Sequence, residues 1–473
     1  MNKKPLVVTL LSAATVLGMM LGTSCKKENN GVSNDRSVVA GGPSGASGTC
    51  GDSTITGVIT SSITLKSCKI YKLDGLVYVS NGATVTVEAG TVIKGIKGIP
   101  PAGANPGTPG GGLIVTRGSK LIAIGTVTDP IIFTSNEATP ASGDWGGVVL
   151  LGKAPTNHPD SAKVEGIAGV PLTANAYFGG PTNNISGDNS GSLKYVRIEY
   201  AGYELSADNE LNGLTLAGVG SGTLLDYIEV YKSKDDAFEF FGGTVNASHL
   251  VAIDALDDMF DTDNGYSGTI SYAIGVSDPN RADKSQSNGF ESDNNATGLT
   301  WTPYTHPTYN NITIIGQPTQ AAASISNGLP SGTGQYGRAA HLRRNAEFVI
   351  NNSIFLGFRY GISQDTALPA VQPPHTLSKY WLGTSILNTN YVHAYILAFD
   401  KEFNNSAFTA ITPLGTTNKG YVSTDPNASI KLTSPFAATR AFSNYVPQSL
   451  SPAKAAGAFP TGNTTWANGW TIL

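Results

Sequence analysis

From Leu76 onward the chain alternates short apolar runs with glycine. Leu76-Val77-Tyr78-Val79 leads to Gly82-Ala83-Thr84-Val85-Thr86-Val87 and then to Gly90-Thr91-Val92-Ile93. Leu113-Ile114-Val115, Leu121-Ile122-Ala123-Ile124 and Pro130-Ile131-Ile132-Phe133 repeat the arrangement. Runs of this length, rich in β-branched residues and bounded by turn formers, predict strands. In the middle of the chain the triplets become a repeat. Asp235-Asp236-Ala237-Phe238-Glu239 returns 22 positions later as Asp257-Asp258-Met259-Phe260-Asp261. It returns again as Asn288-Gly289-Phe290-Glu291, after an insertion from Pro279 to Gln286. A second strand recurs as Tyr195-Val196-Arg197-Ile198, Tyr227-Ile228-Glu229-Val230, Leu250-Val251-Ala252-Ile253 and Tyr272-Ala273-Ile274-Gly275.

A return of about 22 residues carrying three strands predicts an all-β right-handed parallel β-helix. Propeller blades are antiparallel and need about 40 residues each, and a β-sandwich has no such repeat. The β-helix is placed at residues 49–440, with Phe238, Phe260 and Phe290 as one interior stack. Because an open sheet edge invites aggregation, caps are expected at both ends. The N-terminal one spans 49–74 and the C-terminal one 441–473, where Trp466 and Trp470 serve either as core plugs or as sugar platforms.

Composition agrees: 56 of the 473 residues are glycine and 14% are charged, against about 7% and 25% in ordinary domains. A net charge of −4 provides no basic footprint, so nucleic acid is not an expected partner. The first residues read as an export signal. Lys3 and Lys4 precede an apolar run from Pro5 to Leu21, which ends in Leu21-Gly22-Thr23-Ser24-Cys25. Small residues before a cysteine resemble a lipobox, with Leu21 one place early, and the alternative is an ordinary secretory signal. Residues 1–24 are therefore expected to be a lipoprotein signal peptide, Cys25 the lipidated residue and 25–48 a flexible Gly/Ser-rich tether. That leaves Cys50 and Cys68 as an even pair in an exported chain, so they are expected to form a disulfide, worth roughly 3 kcal/mol for so short a loop.

Strand alternation assigns the candidate chemistry. With the three phenylalanines inward, Glu239, Asp261 and Glu291 point outward on successive turns, with Asp263 and Asp293 two residues further on. Carboxylates stacked about 4.8 Å apart repel unless solvated or bridged by a cation. Calcium, which takes six to eight oxygen ligands, is the candidate cofactor, with Asp261, Asp263, Glu291 and Asp293 as its ligands; a solvated polar face is the alternative. Asp235, Asp236, Asp257 and Asp258 are read as corner formers that bond their own turns. Placing Leu342 over Phe290 sets Arg343 beside Glu291, either as a plain ion pair or as the proton-abstracting group of a polysaccharide lyase. No Gly-x-Ser-x-Gly, His-Glu-x-x-His or phosphate loop is present.

The run Gly143-Asp144-Trp145-Gly146-Gly147-Val148-Val149-Leu150 with Gly152-Lys153-Ala154-Pro155, the stretch Leu193 to Gly202, the Asp-Asp-x-Phe repeats and the ending Trp466-Ala467-Asn468-Gly469-Trp470-Thr471 resemble Bacteroidota surface lipoproteins built on a pectate-lyase-like solenoid. The resemblance implies the β-helix and carries over no catalytic residues. The function expected is an outer-membrane, cell-surface lipoprotein that binds glycans or another surface component, with Glu239, Asp261, Glu291 and Arg343 as the binding residues, without catalysis. The alternative is a calcium-dependent polysaccharide lyase or glycoside hydrolase.

Overall fold

The computed structural model describes residues 50–99, 108–164, 167, 177–180, 182–206, 209–366, 375–402 and 417–473. The expected signal peptide, Cys25 and the tether lie outside the described residues. Within them the glycine-bounded runs are strands, and parallel pairing from turn to turn joins 24 of them into one continuous sheet. Bends fold that sheet into the three faces of a right-handed parallel β-helix.

Face one contains Gly147–Leu151, Leu214–Ala217, Phe238–Phe241, Phe260–Asp263, Phe290–Ser292 and Arg338–Leu342, each paired with the next. Faces two and three share strands. The first halves of Gly191–Glu199, Leu224–Tyr231, Ala247–Ile253, Thr269–Val276 and Thr308–Ile315 build face two, and their second halves build face three. One left-handed residue makes each of these bends: Tyr195, Tyr227, His249, Tyr272 and Asn311, with φ between 52° and 57°. Ile228 pairs with Leu250, so His249 sits level with Tyr227. The sequence alignment that began this strand on Leu250 therefore starts one residue late.

The phenylalanine stack lies in the interior as expected. Phe238 pairs with Phe260 and Phe260 with Phe290, and all three are fully buried. The first two rings are parallel at 5.4 Å and the next two edge-to-face at 5.8 Å. The expected placing of Leu342 over Phe290 is corrected: Ala340 occupies that position and Leu342 pairs with Ser292. The small Ala340 side chain is tolerated because Tyr309 and Phe355 pack on Phe290 instead, at 4.2 and 5.5 Å.

The ends differ from two expected caps. Cys50 and Cys68 are disulfide-bonded, but the strands around them, Asp52–Ile59 and Ile63–Leu65, form the first turn itself, in parallel register with the second. The last parallel strand is Lys419–Val422. Residues 441–473 pack along the outer side of face three. There Phe442, Tyr445, Phe459 and Trp470 cover the outward side chains of Val251, Ile253, Ile274, Val276, Ile315, Ile354 and Leu356. Arg440 pins this strap, bonding Asp254 at 2.6 Å and the Ser277 carbonyl at 2.9 Å. Trp470 is a buried plug that donates to the Trp466 carbonyl at 2.7 Å.

Candidate functional site: the acidic outer strip of face one

Alternation along face one turns one column of side chains outward. In register up the stack it runs Thr215, Glu239, Asp261, Glu291 and His341. Three positions earlier a second column runs Asn212, Asp236, Asp258 and Asn288. Each of these side-chain oxygens accepts the backbone N–H one turn above. Asn212 takes that of Asp236 at 3.1 Å, Asp236 that of Asp258 at 2.9 Å, Asp258 that of Asn288, and Asn288 that of Arg338 at 2.8 Å. The reading of Asp236 and Asp258 as corner formers bonding their own turns is thereby corrected. The solenoid supplies a better-placed partner in the adjacent turn than the local backbone does.

The ladder uses one oxygen of Asp236. A carboxylate oxygen of each of Asp236, Glu239 and Asp261 lies within 4.8 Å of the other two, and the same holds for Asp235, Asp236 and Asp257. Asp236 and Glu239 are buried, and Glu239 accepts from the Asn212 amide. The Asp261 Oδ1 atom is out of solvent contact and accepts no hydrogen bond. Burial first, and then repulsion from neighbouring carboxylates, holds Asp236, Asp257, Asp258 and Asp261 well above the usual carboxylate range. Asp263 is pushed up to about 8 by burial and by Asp293.

The upper part of the strip is neutralised differently. Arg343 bonds Glu291 and, through Nε, Asp293 at 2.8 Å, while Arg344 bonds the other Asp293 oxygen at 2.6 Å. His341 Nδ1 lies 3.3 Å from Glu291. Burial raises the Glu291 carboxyl, but the His341 bond and the two arginines outweigh it and leave the group below its ordinary value. Burial opposes the charge on Arg343, yet Glu291 and Asp293 more than offset this and push its pKa further up.

Of the four residues expected to hold a metal, Asp261 is the one in a close carboxylate trio among the described residues. Glu291 and Asp293 are engaged by guanidinium groups, and the trio is completed one turn below by Asp236 and Glu239. The structure brings Glu291 and Arg343 together as expected. Asn212, Asp236, His341 and Arg344 were missed. The fixed offset of three in Asn212–Thr215, Asp236–Glu239, Asp258–Asp261 and Asn288–Glu291 signals the first two; no comparable repeat marks His341 or Arg344.

Three parallel faces and a charged outer column on one of them define the architecture, and a family model for a pectate-lyase-like β-helix domain matches residues 57–471. The chain belongs to that family. No curated protein and no solved structure is significantly similar to this pectate-lyase-like β-helix chain.

Proposed function

We propose that the chain is a lipid-anchored, cell-surface β-helix protein that binds acidic polysaccharide through a divalent cation, calcium first, without cleaving it. The observation that carries this reading is the buried, unpartnered Asp261 Oδ1 beside the Asp236 and Glu239 carboxylates. Leaving a buried acceptor unmade costs about 1–3 kcal/mol, more for a charged group. A cation removes that cost and the repulsion together. Asp236, Glu239 and Asp261 would hold it, and three carboxylates leave part of a six- to eight-oxygen shell for ligand carboxylates and water. The anchor rests on Leu21-Gly22-Thr23-Ser24-Cys25.

Arg343 argues against lyase chemistry, because a guanidinium tied to two carboxylates and raised in pKa is a poor proton-abstracting base. One observation favours a second reading, a glycoside hydrolase. Asp263 at about 8 is protonated at neutral pH while Glu291 stays ionised, and a carboxyl pair split in this way can supply an acid and a base.

Calorimetric titration of calcium into the parent and into Asp261→Asn tests the proposal. The parent should bind, Asp261→Asn should bind more weakly, and affinity should fall at low pH as protons compete. No heat and no thermal shift at millimolar calcium would remove the cation reading. Incubation with polygalacturonate and alginate, followed by assay for unsaturated and reducing ends, separates binding from cleavage.

A further inference from the structure

The bends between faces two and three carry Tyr195, Tyr227, His249 and Tyr272 at equivalent positions of four successive turns. A left-handed backbone costs a non-glycine residue roughly 1–2 kcal/mol, with asparagine among the few that adopt it routinely. Asparagine does occupy the next two bends, at Asn311 and Asn352. The four aromatic positions therefore carry a backbone cost that their own stacking offsets in part. Their rings stack in a column with centroids 4.5, 4.3 and 5.6 Å apart. The column spans three turn spacings, roughly 14 Å.

The C-terminal strap covers part of this column: Trp470 meets Tyr195 and Tyr227 edge-on at 5.9 and 6.1 Å, and Trp466 lies 5.1 Å from His249. A cleft of about 600 Å³ remains between strap and column, within the roughly 300–1,000 Å³ of small-molecule sites. The ring column lines one side, Thr461, Asn463 and Thr465 line the strap side, and Trp466 meets the column at His249. Trp466 is fixed from behind, stacked on Phe459 at 5.3 Å and bonded through Nε1 to the Ala458 carbonyl at 3.1 Å. Tyr272 ends the column and is 39% exposed. Asn463 Oδ1 accepts from the Thr465 hydroxyl at 2.6 Å, which leaves the Asn463 amide group to donate.

Among the described residues, no carboxylate, lysine or arginine lines the cleft. Lys194 lies over the Tyr195 and Tyr227 rings, 5.5 and 5.2 Å from their centroids, and 3.5 Å from Asp226, which is also 2.7 Å from His249 Nδ1. The Lys194 ammonium is already engaged by Asp226 and by the two rings, so the wall favours an uncharged ligand over an anionic one. It offers ring edges, the exposed Tyr272 at the end of the column, and a row of hydroxyl and amide groups for the C–H and hydroxyl groups of a sugar. We infer that this cleft is a binding site for a neutral oligosaccharide. It is built from none of the face-one carboxylates and is independent of the cation reading.

The test is titration of neutral hexasaccharides (β-1,4-linked glucose, mannose and xylose, and α-1,4-linked glucose) into the full chain in EDTA, read by calorimetry and tryptophan fluorescence. At least one probe should bind in the millimolar range or tighter. Tyr272→Ala and Asn463→Ala should each weaken it roughly fivefold, as loss of one ring or polar contact does, and Asp261→Asn should leave it unchanged. Asn463→Ala carries the test if Tyr272→Ala lowers the melting temperature. Absence of binding by every probe, binding unaffected by either cleft variant, or preference for oligogalacturonate in EDTA would overturn the inference.

Discussion

Glu229→Gln should make the protein more stable in alkaline solution and nearly unchanged in acid. Glu229 faces outward from face three, yet the C-terminal strap buries it completely. Its carboxylate accepts the Ile472 N–H at 3.0–3.2 Å, and Arg197 Nε lies 3.5 Å away while bonding Glu199 more closely. Burial, opposed by Arg197 and assisted by Glu199, pushes the Glu229 pKa up to about 8 from an ordinary 4.5. Between those values the folded protein keeps a proton that the unfolded chain releases, so stability falls as pH rises through this window. The slope approaches about 1.4 kcal/mol per pH unit, and the loss is of the order of 5 kcal/mol once pH exceeds the folded value. Glutamine keeps an acceptor for Ile472 and does not titrate. Denaturation midpoints of parent and variant, compared from about pH 5 to about pH 9, isolate the effect because other carboxylates cancel in the difference. A difference that does not vary with pH, or a variant less stable than the parent at the alkaline end, would refute the assignment.

Phe260→Ala should lower stability by roughly 3–5 kcal/mol by removing the fully buried ring between Phe238 and Phe290; a loss below about 1 kcal/mol by denaturant titration would contradict the packing. Cys25→Ala should abolish radiolabelled lipid incorporation and release the chain from membranes, and unchanged labelling would eliminate the anchor.

The β-helix was legible because its repeat is written in the residues that face inward. Phe238, Phe260 and Phe290 stand at one interior level and announce both the period and the register. Where the inward residue is small the signal fades: Ala340 looked like a poorer match to Phe290 than Leu342, since its aromatic neighbours Tyr309 and Phe355 come from other faces. The lower half of the acidic site was obscured for a related reason. An Asp-Asp pair beside a corner normally bonds its own turn, but in a solenoid the equivalent backbone one turn above competes and wins. The strap was legible only indirectly. Val251-Ala252-Ile253, Ile274-Gly275-Val276 and Ile312-Thr313-Ile314-Ile315 are apolar at nearly every position, and strands apolar on both sides need cover on both sides. That pattern, rather than the two terminal tryptophans, distinguishes a lateral strap from an end cap.

A parallel solenoid forces equivalent side chains to within about 4.8 Å of one another, and this spacing treats different chemistries oppositely. For aromatic rings it is close to the stacking optimum, so the column from Tyr195 to Tyr272 gains about 0.5–1.5 kcal/mol per contact and offsets part of its backbone strain. For two like charges it costs about 3 kcal/mol at an effective dielectric near 20. A carboxylate column therefore persists only where something compensates it. On the upper turns Arg343, Arg344 and His341 compensate Glu291 and Asp293. On the turns below, no basic side chain among the described residues lies within ion-pair distance of Asp236 or Asp261, and hydrogen bonds to the next turn satisfy only part of the group. The remaining imbalance is met either by protons, at the cost of the raised pKa values, or by a bound cation. Because protons and cation compete for the same oxygens, the calcium titration at two pH values reports which of them the site was built to hold.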